Sequence, residues 1–136
     1  MGMSINEMAI LPEAILMRIY LAGPMRGIKD FNFPAFHAAA KHLRTDGHVV
    51  FNPAERDEKE FGAEVLRTAE GSEAEVALKL GFTDKLGLAR ACFLADTMWI
   101  CLHAEAIALM PGWAGSRGAR AERALGEAIG LEIIEL

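Results

Sequence analysis

Glu122 is the residue of this sequence best placed to do chemistry, because it puts a carboxylate on the apolar side of a predicted helix. The helix is predicted from about Arg117 to Ile129, and a 3.6-residue period puts Gly118, Glu122, Leu125 and Ile129 on its inward face. A charged group there is costly unless it is paired, and such groups are often kept for function. The alternative is that Glu122 lies at the border of this face and reaches water.

Two other polar residues stand among apolar neighbours. Asp96 lies on the inward side of an otherwise apolar helix predicted from about Asp84 to His103. Capping a backbone amide or pairing with a loop arginine explains it as well as catalysis does. Tyr20 lies near the end of a short β-rich run. It is either a core aromatic with a satisfied hydroxyl or a hydroxyl donor to a carboxylate.

The segment before the Glu122 helix suits a small anion. Ser116 is a good N-cap for that helix, and the same position presents free amides to a phosphate. Trp113 is either a packing residue or a stacking surface for a base. The loop Gly23–Gly27 lacks the lysine and Ser/Thr of a Walker loop and is not G-x-G-x-x-G, so ATP hydrolysis and dinucleotide binding lose support. Local cations for a phosphate are Arg26, Arg117 and Arg120.

These residues are positioned by alternating strands and helices. Strands are predicted at 18–22, 49–51, 106–110 and 131–134, and helices at 33–46, 84–103 and 117–129. The charged run Glu55–Glu60 is predicted as a solvated loop, with helical stretches at Ala63–Ala69 and Glu73–Leu80. The alternation predicts an α/β fold with a parallel sheet of four to five strands, covered on both faces. Ligands of such sheets bind beyond the carboxyl ends of the strands, where Gly23–Gly27, Asn52 and Pro111–Glu122 fall.

Composition restricts the class of protein. The 136 residues, 52% hydrophobic and 24% charged, indicate one globular domain at 17–136, preceded by an N-terminal extension at 1–16. A net charge of −5 argues against a nucleic-acid polymer as partner, and the extension predicts neither a signal peptide nor a membrane span. Cys92 and Cys101 are too far apart along one helix for a disulfide, so both are predicted to be reduced core thiols of a cytoplasmic protein. The four histidines do not cluster, and no metal site is predicted.

Taken together, these motifs resemble the nucleoside 2-deoxyribosyltransferase-like superfamily. The resemblance runs from about Met17 to the C-terminus and is loosest at residues 54–83. It points most closely to a branch of small, often phage-associated proteins of the DUF4406 type. The motifs that carry it are Tyr20-Leu-Ala-Gly-Pro-Met-Arg-Gly27, Asn32-Phe-Pro-Ala-Phe36, Gly47-His48, Asn52-Pro-Ala-Glu55, Asp96, and Pro111-Gly-Trp113 with Ser116-x-Gly118-Ala119 and Glu122.

The resemblance implies a flavodoxin-like or Rossmann-like three-layer sandwich and cleavage of an N-glycosidic bond. The residue matching Glu122 would attack the anomeric carbon, Tyr20 would orient it, and Asp96 would assist the leaving base. Such a nucleophile must stay ionised, which a helix N-terminus favours, and the acid needs a raised pKa. No metal or organic cofactor is implied, and a homodimer or higher homo-oligomer is expected. The implied substrate-binding residues are Gly23, Pro24, Arg26, Gly27, Asn52, Trp113, Ser116 and Gly118.

Ser116 departs from the deoxyribosyltransferases, which carry an aspartate there, and matches the related 2′-deoxynucleoside 5′-phosphate N-hydrolases. A hydroxyl removes a charge that would repel phosphate. We therefore expect cleavage of a (deoxy)nucleoside 5′-monophosphate through a glutamyl–glycosyl intermediate, with Arg26 and the amides of Arg117 and Gly118 near the phosphate. The alternatives are a base-exchanging nucleoside 2-deoxyribosyltransferase, a non-catalytic nucleotide-binding or sensor protein, and a structural domain in which Glu122 and Asp96 satisfy each other.

Overall fold

The computed structural model describes residues 16–136, so the predicted N-terminal extension lies outside the described residues except for Leu16. The described chain contains a sheet of four strands: β1 (Arg18–Ala22), β2 (Val49–Phe51), β3 (Ala106–Leu109) and β4 (Glu132–Glu135). Its α-helices are α1 (Phe33–Thr45), α2 (Pro53–Phe61), α3 (Glu73–Lys79), α4 (Lys85–His103) and α5 (Arg117–Ala128). Single turns of 3-10 helix occupy Lys29–Asn32 and Trp113–Gly115.

The sheet has the strand order β2-β1-β3-β4, and all of its neighbouring strands are parallel. Tyr20 on β1 stands opposite Phe51 on β2 and Ile107 on β3. The two central strands are apolar and buried, as parallel strands covered on both faces must be. The predicted α/β sandwich of the flavodoxin-like or Rossmann-like kind is therefore confirmed, with four strands among the described residues.

Alternation along β1 sends its side chains to two different layers. Ile19 and Leu21 pack in the cluster that contains α1, whereas Tyr20 and Ala22 pack in the cluster that contains residues of α4 and α5. The central side chains of both clusters have essentially no solvent exposure. The Tyr20 hydroxyl is thereby directed toward the helices that carry Asp96 and Glu122.

Small residues let α5 lie close to β3. A Cβ atom on Gly126 would come within 2.5 Å of Ile107 Cγ1, so only glycine fits at this contact. The buried positions of α5 are Ala119, Glu122 and Gly126. The inward face predicted for this helix is therefore wrong at its C-terminal end, where Ile129 is 46% exposed. The helix approaches the sheet most closely through Ala119 and Gly126, and Leu125 packs at the side as a partly buried residue.

The charged run predicted as a solvated loop is instead the helix α2. The Asn52 side chain caps it by accepting from the Ala54 amide at 3.0 Å, and Pro53 occupies its first turn. Its inward face is short, with Ala54, Asp57 and Phe61 at i, i+3 and i+7 and exposed charges between them. All six residues from Glu55 to Glu60 are charged, and this hid the helical period in the sequence.

The helix predicted at Ala63–Ala69 is also wrong, because this stretch forms turns, whereas the helix predicted at Glu73–Leu80 is confirmed as α3. The turns are held by the loop between β1 and α1. The Gly27 amide donates to the Gly71 carbonyl at 3.1 Å, and the Asp30 amide donates to the Thr68 carbonyl at 2.8 Å. Tertiary hydrogen bonds thus replace the helical ones that the local composition favoured.

The helix α4 is apolar on both sides. Among the described residues it alone is long and apolar enough to cross a membrane, with a mean hydropathy of 1.2, and 17% of its apolar window is buried. Its inner side places Asp96 and Ile100 against the rest of the domain. Its outer side exposes Leu94, Met98 and Leu102. Cys101 is exposed as well, so the prediction of a core thiol is wrong there, while Cys92 is partly buried.

Candidate functional site

A cavity of about 310 Å³ lies beyond the carboxyl end of β1, among α2, α4, α5 and the loop after β1. This volume is at the lower end of the range usual for small-molecule sites. It stands where the topology of a parallel sheet places ligands. Eight of the eleven residues proposed from the sequence as catalytic or substrate-binding line it, namely Tyr20, Gly23, Pro24, Arg26, Asp96, Ser116, Gly118 and Glu122, and Arg117 lines it as well.

Tyr20 and Glu122 form the shortest side-chain hydrogen bond at this site. The Tyr20 hydroxyl donates to Glu122 Oε2 at 2.6 Å, although the two residues are 102 positions apart in the sequence. Tyr20 is 1% exposed and Glu122 is 7% exposed, so the alternative in which Glu122 reaches water is wrong. A bond of this length has the character of a hydroxyl donating to a charged acceptor.

Burial dominates the protonation of Glu122. It raises the pKa of this carboxyl to about 8, although the Tyr20 hydroxyl lowers it, and nearby Asp96 and Asp57 raise it further. The sequence predicts that the helix N-terminus keeps Glu122 ionised, but burial has the larger effect on this carboxyl. The burial and the negative charge nearby likewise raise the pKa of Tyr20 well above its usual value, so Tyr20 remains a donor.

Asp96 faces the same cavity from α4 and lacks a partner for one oxygen. It is 8% exposed, and its Oδ1 atom has no hydrogen-bond partner among the described residues. Burial raises its pKa to about 7, with repulsion from Asp57 adding to the rise, while Arg56 and the Tyr20 hydroxyl lower it. Neither the amide cap nor the arginine pair considered for Asp96 accounts for this oxygen, so it is a candidate to carry a proton.

Asp57 is a cavity residue that the sequence analysis missed. It is 8% exposed, and Arg56 Nη1 donates to its Oδ1 at 3.2 Å. Burial raises its pKa to about 6, and Arg56 opposes that rise. The Cys92 thiol, one turn before Asp96, has a pKa raised to about 12 by burial and by the two aspartates, so it stays protonated. The apolar spacing of α2 was the one signal that could have found Asp57.

The start of α5 forms the opposite part of the cavity wall. The Ser116 hydroxyl accepts from the Ala119 amide at 3.2 Å, which confirms Ser116 as the N-cap. Arg26 also lines the cavity, but its Nε atom lies 3.0 Å from Oε2 of Glu73 on α3, a residue that the sequence analysis also missed. The cation expected to meet a phosphate is thus already paired with a carboxylate.

Three residues proposed from the sequence as substrate-binding do not line the cavity. Gly27 forms a turn with a φ of 77°, and Asn52 is used by the cap of α2 and by a 3.1 Å contact with the ring of His37. The Trp113 indole donates to Glu135 at 3.2 Å, and Arg123 lies 5.1 Å from its ring centre. Each of these residues has a structural partner in the fold.

Asn32 and Pro24 hold the shape of the loop at the cavity mouth. Asn32 occupies the N-cap position of α1 with a φ of 62°, but its side chain does not cap the helix. Its Nδ2 atom donates instead to the Pro24 carbonyl at 3.0 Å. Asn32 therefore braces the loop that carries Gly23 and Arg26 and does not cap α1 with its side chain.

The carboxyl and thiol groups of the cavity do not form a metal centre. Within residues 16–136, no group of three or more His, Cys, Asp or Glu side chains is arranged to hold a metal ion. The arrangement can present two carboxyl groups to the same bound molecule. One is Glu122, which the Tyr20 hydroxyl orients, and the other is Asp96, which has an unpaired oxygen.

The chain was compared with curated proteins and with models of protein families. No curated protein matches the chain. A family model described as "Domain of unknown function (DUF4406)" matches residues 17–135, which is nearly the whole described chain and includes every residue of the cavity. The chain therefore belongs to the DUF4406 family.

Proposed function

We propose that this protein cleaves the N-glycosidic bond of a nucleoside 5′-monophosphate through a covalent intermediate on Glu122. The observation that carries the proposal is the buried 2.6 Å bond from the Tyr20 hydroxyl to Glu122, in a cavity that Asp96 also lines. Two carboxyl groups with different partners, facing one substrate, are what retaining glycoside chemistry requires. The motif resemblance to the nucleoside 2-deoxyribosyltransferase-like superfamily supports the same reaction.

In the first step a Glu122 carboxylate oxygen forms a bond to the anomeric carbon of the sugar, and the bond from that carbon to the base nitrogen breaks. The electron pair of the broken bond goes to the base, which takes the proton of Asp96. In the second step water attacks the same carbon, Asp96 takes a proton from the water, and Glu122 is released as a carboxylate. The Tyr20 hydroxyl orients Glu122 and stabilises its charge.

The reaction needs the negative charge on Glu122 and the proton on Asp96. Their raised pKa values, about 8 and about 7, show that these two neighbouring groups do not both ionise readily near neutral pH. The hydrogen bond from Tyr20 favours the charge on Glu122, and the unpaired Oδ1 favours the proton on Asp96. Burial nevertheless gives Glu122 the higher pKa of the two, so the reaction requires substrate binding to shift the proton from Glu122 to Asp96. A leaving base buried against Asp96 would favour the neutral, protonated form of that carboxyl.

The start of α5 supports a 5′-phosphate on the sugar. Residues 115–118 line the cavity, and the free backbone amides at a helix N-terminus attract anions. Ser116 adds a hydroxyl and no charge, so it does not repel phosphate. Arg26 reaches the phosphate by exchanging its Glu73 partner for the ligand, since both side chains line the same cavity.

The test is release of free base from a panel of deoxynucleosides, ribonucleosides and their 5′-monophosphates, followed by chromatography. The decisive variant is Glu122→Gln, which keeps the shape of the side chain and removes the nucleophile. Its matched control is Glu127→Gln on the same helix, which loses only an exposed pair with Arg123 at 2.8 Å. Base release from monophosphates by the wild type and by the control, but not by Glu122→Gln, supports the proposal.

Other results would replace the proposal by a named alternative. Exchange of one base for another without net release identifies a nucleoside 2-deoxyribosyltransferase. Tight binding of a nucleotide without turnover identifies a sensor. If no member of the panel is bound or cleaved, the Tyr20–Glu122 bond is a structural contact only.

We propose in addition that the protein acts as a homodimer through the outer face of α4. Leu94, Met98 and Leu102 are 64%, 50% and 68% exposed at i, i+4 and i+8, which forms a continuous apolar stripe. Phe93 borders this stripe and also lines the cavity, so a second copy packed there would lie beside the site. Like helices can bury such a stripe on each other in a two-fold arrangement.

Light scattering after size-exclusion chromatography tests this assembly. The variant Met98→Glu is expected to give a monomer, whereas Ile129→Glu, at another exposed apolar residue outside α4, is expected to keep the dimer. A monomeric wild type would contradict the proposed dimer and leave the proposed reaction untouched.

A further inference from the structure

The cavity holds one more buried carboxyl than the proposed reaction uses. Glu122 and Asp96 have roles in it, whereas Asp57 has none, yet Asp57 lines the same wall and is equally buried at 8% exposed. A buried carboxylate is costly unless something compensates its charge. Such a group is expected to contribute more than packing.

The fold directs Asp57 inward from the first turns of α2. Asn52 and Pro53 start the helix immediately after β2, and the following turn buries Asp57 in the cavity lining. Arg56 precedes it, is partly buried, and packs its guanidinium 5.6 Å from the Phe61 ring centre. This arrangement keeps Arg56 beside Asp57 at 3.2 Å and keeps Asp57 in the ionised form.

Asp96 is the group that responds to this charge. Its Oδ1 atom is buried with no donor among the described residues, whereas Asp57 has the Arg56 guanidinium and Glu122 has the Tyr20 hydroxyl. Asp57 and Asp96 face one cavity and cannot both ionise at little cost. Because Arg56 contacts Asp57 while Oδ1 of Asp96 has no donor, Asp96 keeps the proton in preference to Asp57.

We propose that Asp57 is a positioning residue whose charge keeps the acid proton on Asp96, so that the two act as an electrostatically coupled carboxyl pair between α2 and α4. Arg56 sets the balance of the pair by holding the charge on Asp57 and limiting its effect on Asp96. The use of this proton by the leaving base rests on the proposed function, but the coupling of the two aspartates does not.

The electrostatic surroundings of Asp96 agree with this assignment. Repulsion by Asp57 is the largest contribution after burial to the raised pKa of Asp96, and Arg56 opposes it. The same charges act on the Cys92 thiol. The two aspartates raise its pKa, and Arg56 lowers it. The titratable groups that face Asp96 are Asp57 and Arg56 from α2, Tyr20 from β1, Cys92 within α4 and Glu122 from α5.

The experiment follows the Asp96 carboxyl carbon by ¹³C NMR as a function of pH in the substrate-free protein. Asp57→Asn removes the repelling charge at nearly constant shape and is expected to lower the Asp96 midpoint by about 1 pH unit. Arg56→Gln removes the opposing cation and is expected to raise it. Asp46→Asn, an exposed aspartate at the end of α1, is the matched control and is expected to leave it unchanged.

Opposite shifts in the two variants support the proposal, because loss of packing alone would not give opposite signs. An unchanged midpoint in Asp57→Asn, or shifts of the same sign in both variants, would overturn it. Thermal melting followed by circular dichroism verifies folding, and if Asp57→Asn does not fold, the direction of the Arg56→Gln shift decides the question.

A kinetic measurement separates this proposal from the proposed function. In an active enzyme, the alkaline limb of kcat/KM is expected to move down in Asp57→Asn and up in Arg56→Gln, together with the NMR midpoints. Shifted midpoints without cleavage of any substrate would reject the glycosidase and keep the carboxyl pair. Cleavage with unshifted midpoints would reject the pair and keep the glycosidase.

Discussion

Removing the Tyr20 hydroxyl is the most direct perturbation of the site. Tyr20→Phe deletes one oxygen, and the ring keeps its stacked contact with Phe51 at a centroid distance of 5.5 Å. The deleted oxygen is the donor of the 2.6 Å bond to Glu122 Oε2. Because this bond favours the charged carboxylate, its loss is expected to raise the pKa of Glu122 above the present value of about 8.

The size of the effect follows from the strength of such a bond. A buried hydrogen bond to a charged group contributes about 1.5 to 3 kcal/mol, which corresponds to about a 10- to 150-fold loss of kcat/KM at neutral pH. The same free energy is expected to move the acid limb of the pH profile up by about 1 to 2 pH units. The alkaline limb is expected to move up less, since Tyr20 also lowers the pKa of Asp96.

The assay is the initial rate of base release across the pH range, with Phe51→Leu as the control. Phe51→Leu disturbs the packing of the Tyr20 ring and keeps the hydroxyl, so it is expected to lower stability without moving the acid limb. An activity loss in Tyr20→Phe with an unmoved acid limb would refute the reasoning, because the hydroxyl would then act on something other than the charge of Glu122.

Three other predictions concern stability and ligand affinity. The folded-state pKa of Glu122 is about 8 against an ordinary 4.5, so the folded state binds more protons and stability is expected to fall as pH rises from about 4 to 8. Urea unfolding at pH 5 and pH 8 should show a loss to which Glu122 contributes about 3 to 5 kcal/mol; Glu122→Gln is expected to remove that share and to leave the smaller contributions of Asp96 and Asp57. Glu73→Gln is expected to free Arg26 and tighten a nucleoside 5′-monophosphate about 2- to 5-fold by isothermal titration calorimetry, and unchanged affinity would remove Arg26 from the phosphate site. Gly126→Ala, whose Cβ would meet a β3 side chain at 2.5 Å, is expected to cost about 1 to 3 kcal/mol in urea unfolding, whereas Gly118→Ala has open space and no such cost.

Much of the sheet and of its helices follows from local patterns. The first strand, the second strand and the helix α4 lie within a residue of their predicted bounds, because short apolar runs and glycine or proline breaks mark them. The Ser116 cap is likewise local, since its hydroxyl bonds an amide three residues later. Residues 54–70 were predicted wrongly because their structure depends on partners far away, such as the bond from the Asp30 amide to the Thr68 carbonyl.

The site shows the same division. The sequence shows a carboxylate and a phenol at positions where the helical or strand pattern calls for apolar residues. Glu122 and Tyr20 could therefore be predicted as site residues. That they meet at 2.6 Å depends on α5 packing against the sheet, where Gly126 lets the helix lie close to Ile107 of β3. The pairing of Arg26 with Glu73 has no counterpart in sequence spacing, since it joins a loop to a helix 47 positions away.

By itself, the sequence determined the alternation of strands and helices, the apolar faces that bury the sheet, and the polar residues that interrupt those faces. Only the tertiary structure decided which of those residues share a cavity, that Asp57 joins them, and that Asn52 and Trp113 are held by other partners. The physical reason is that periodicity acts over a few residues. Desolvation and repulsion among carboxyl groups act through space, and they arise only after the chain has brought distant segments together.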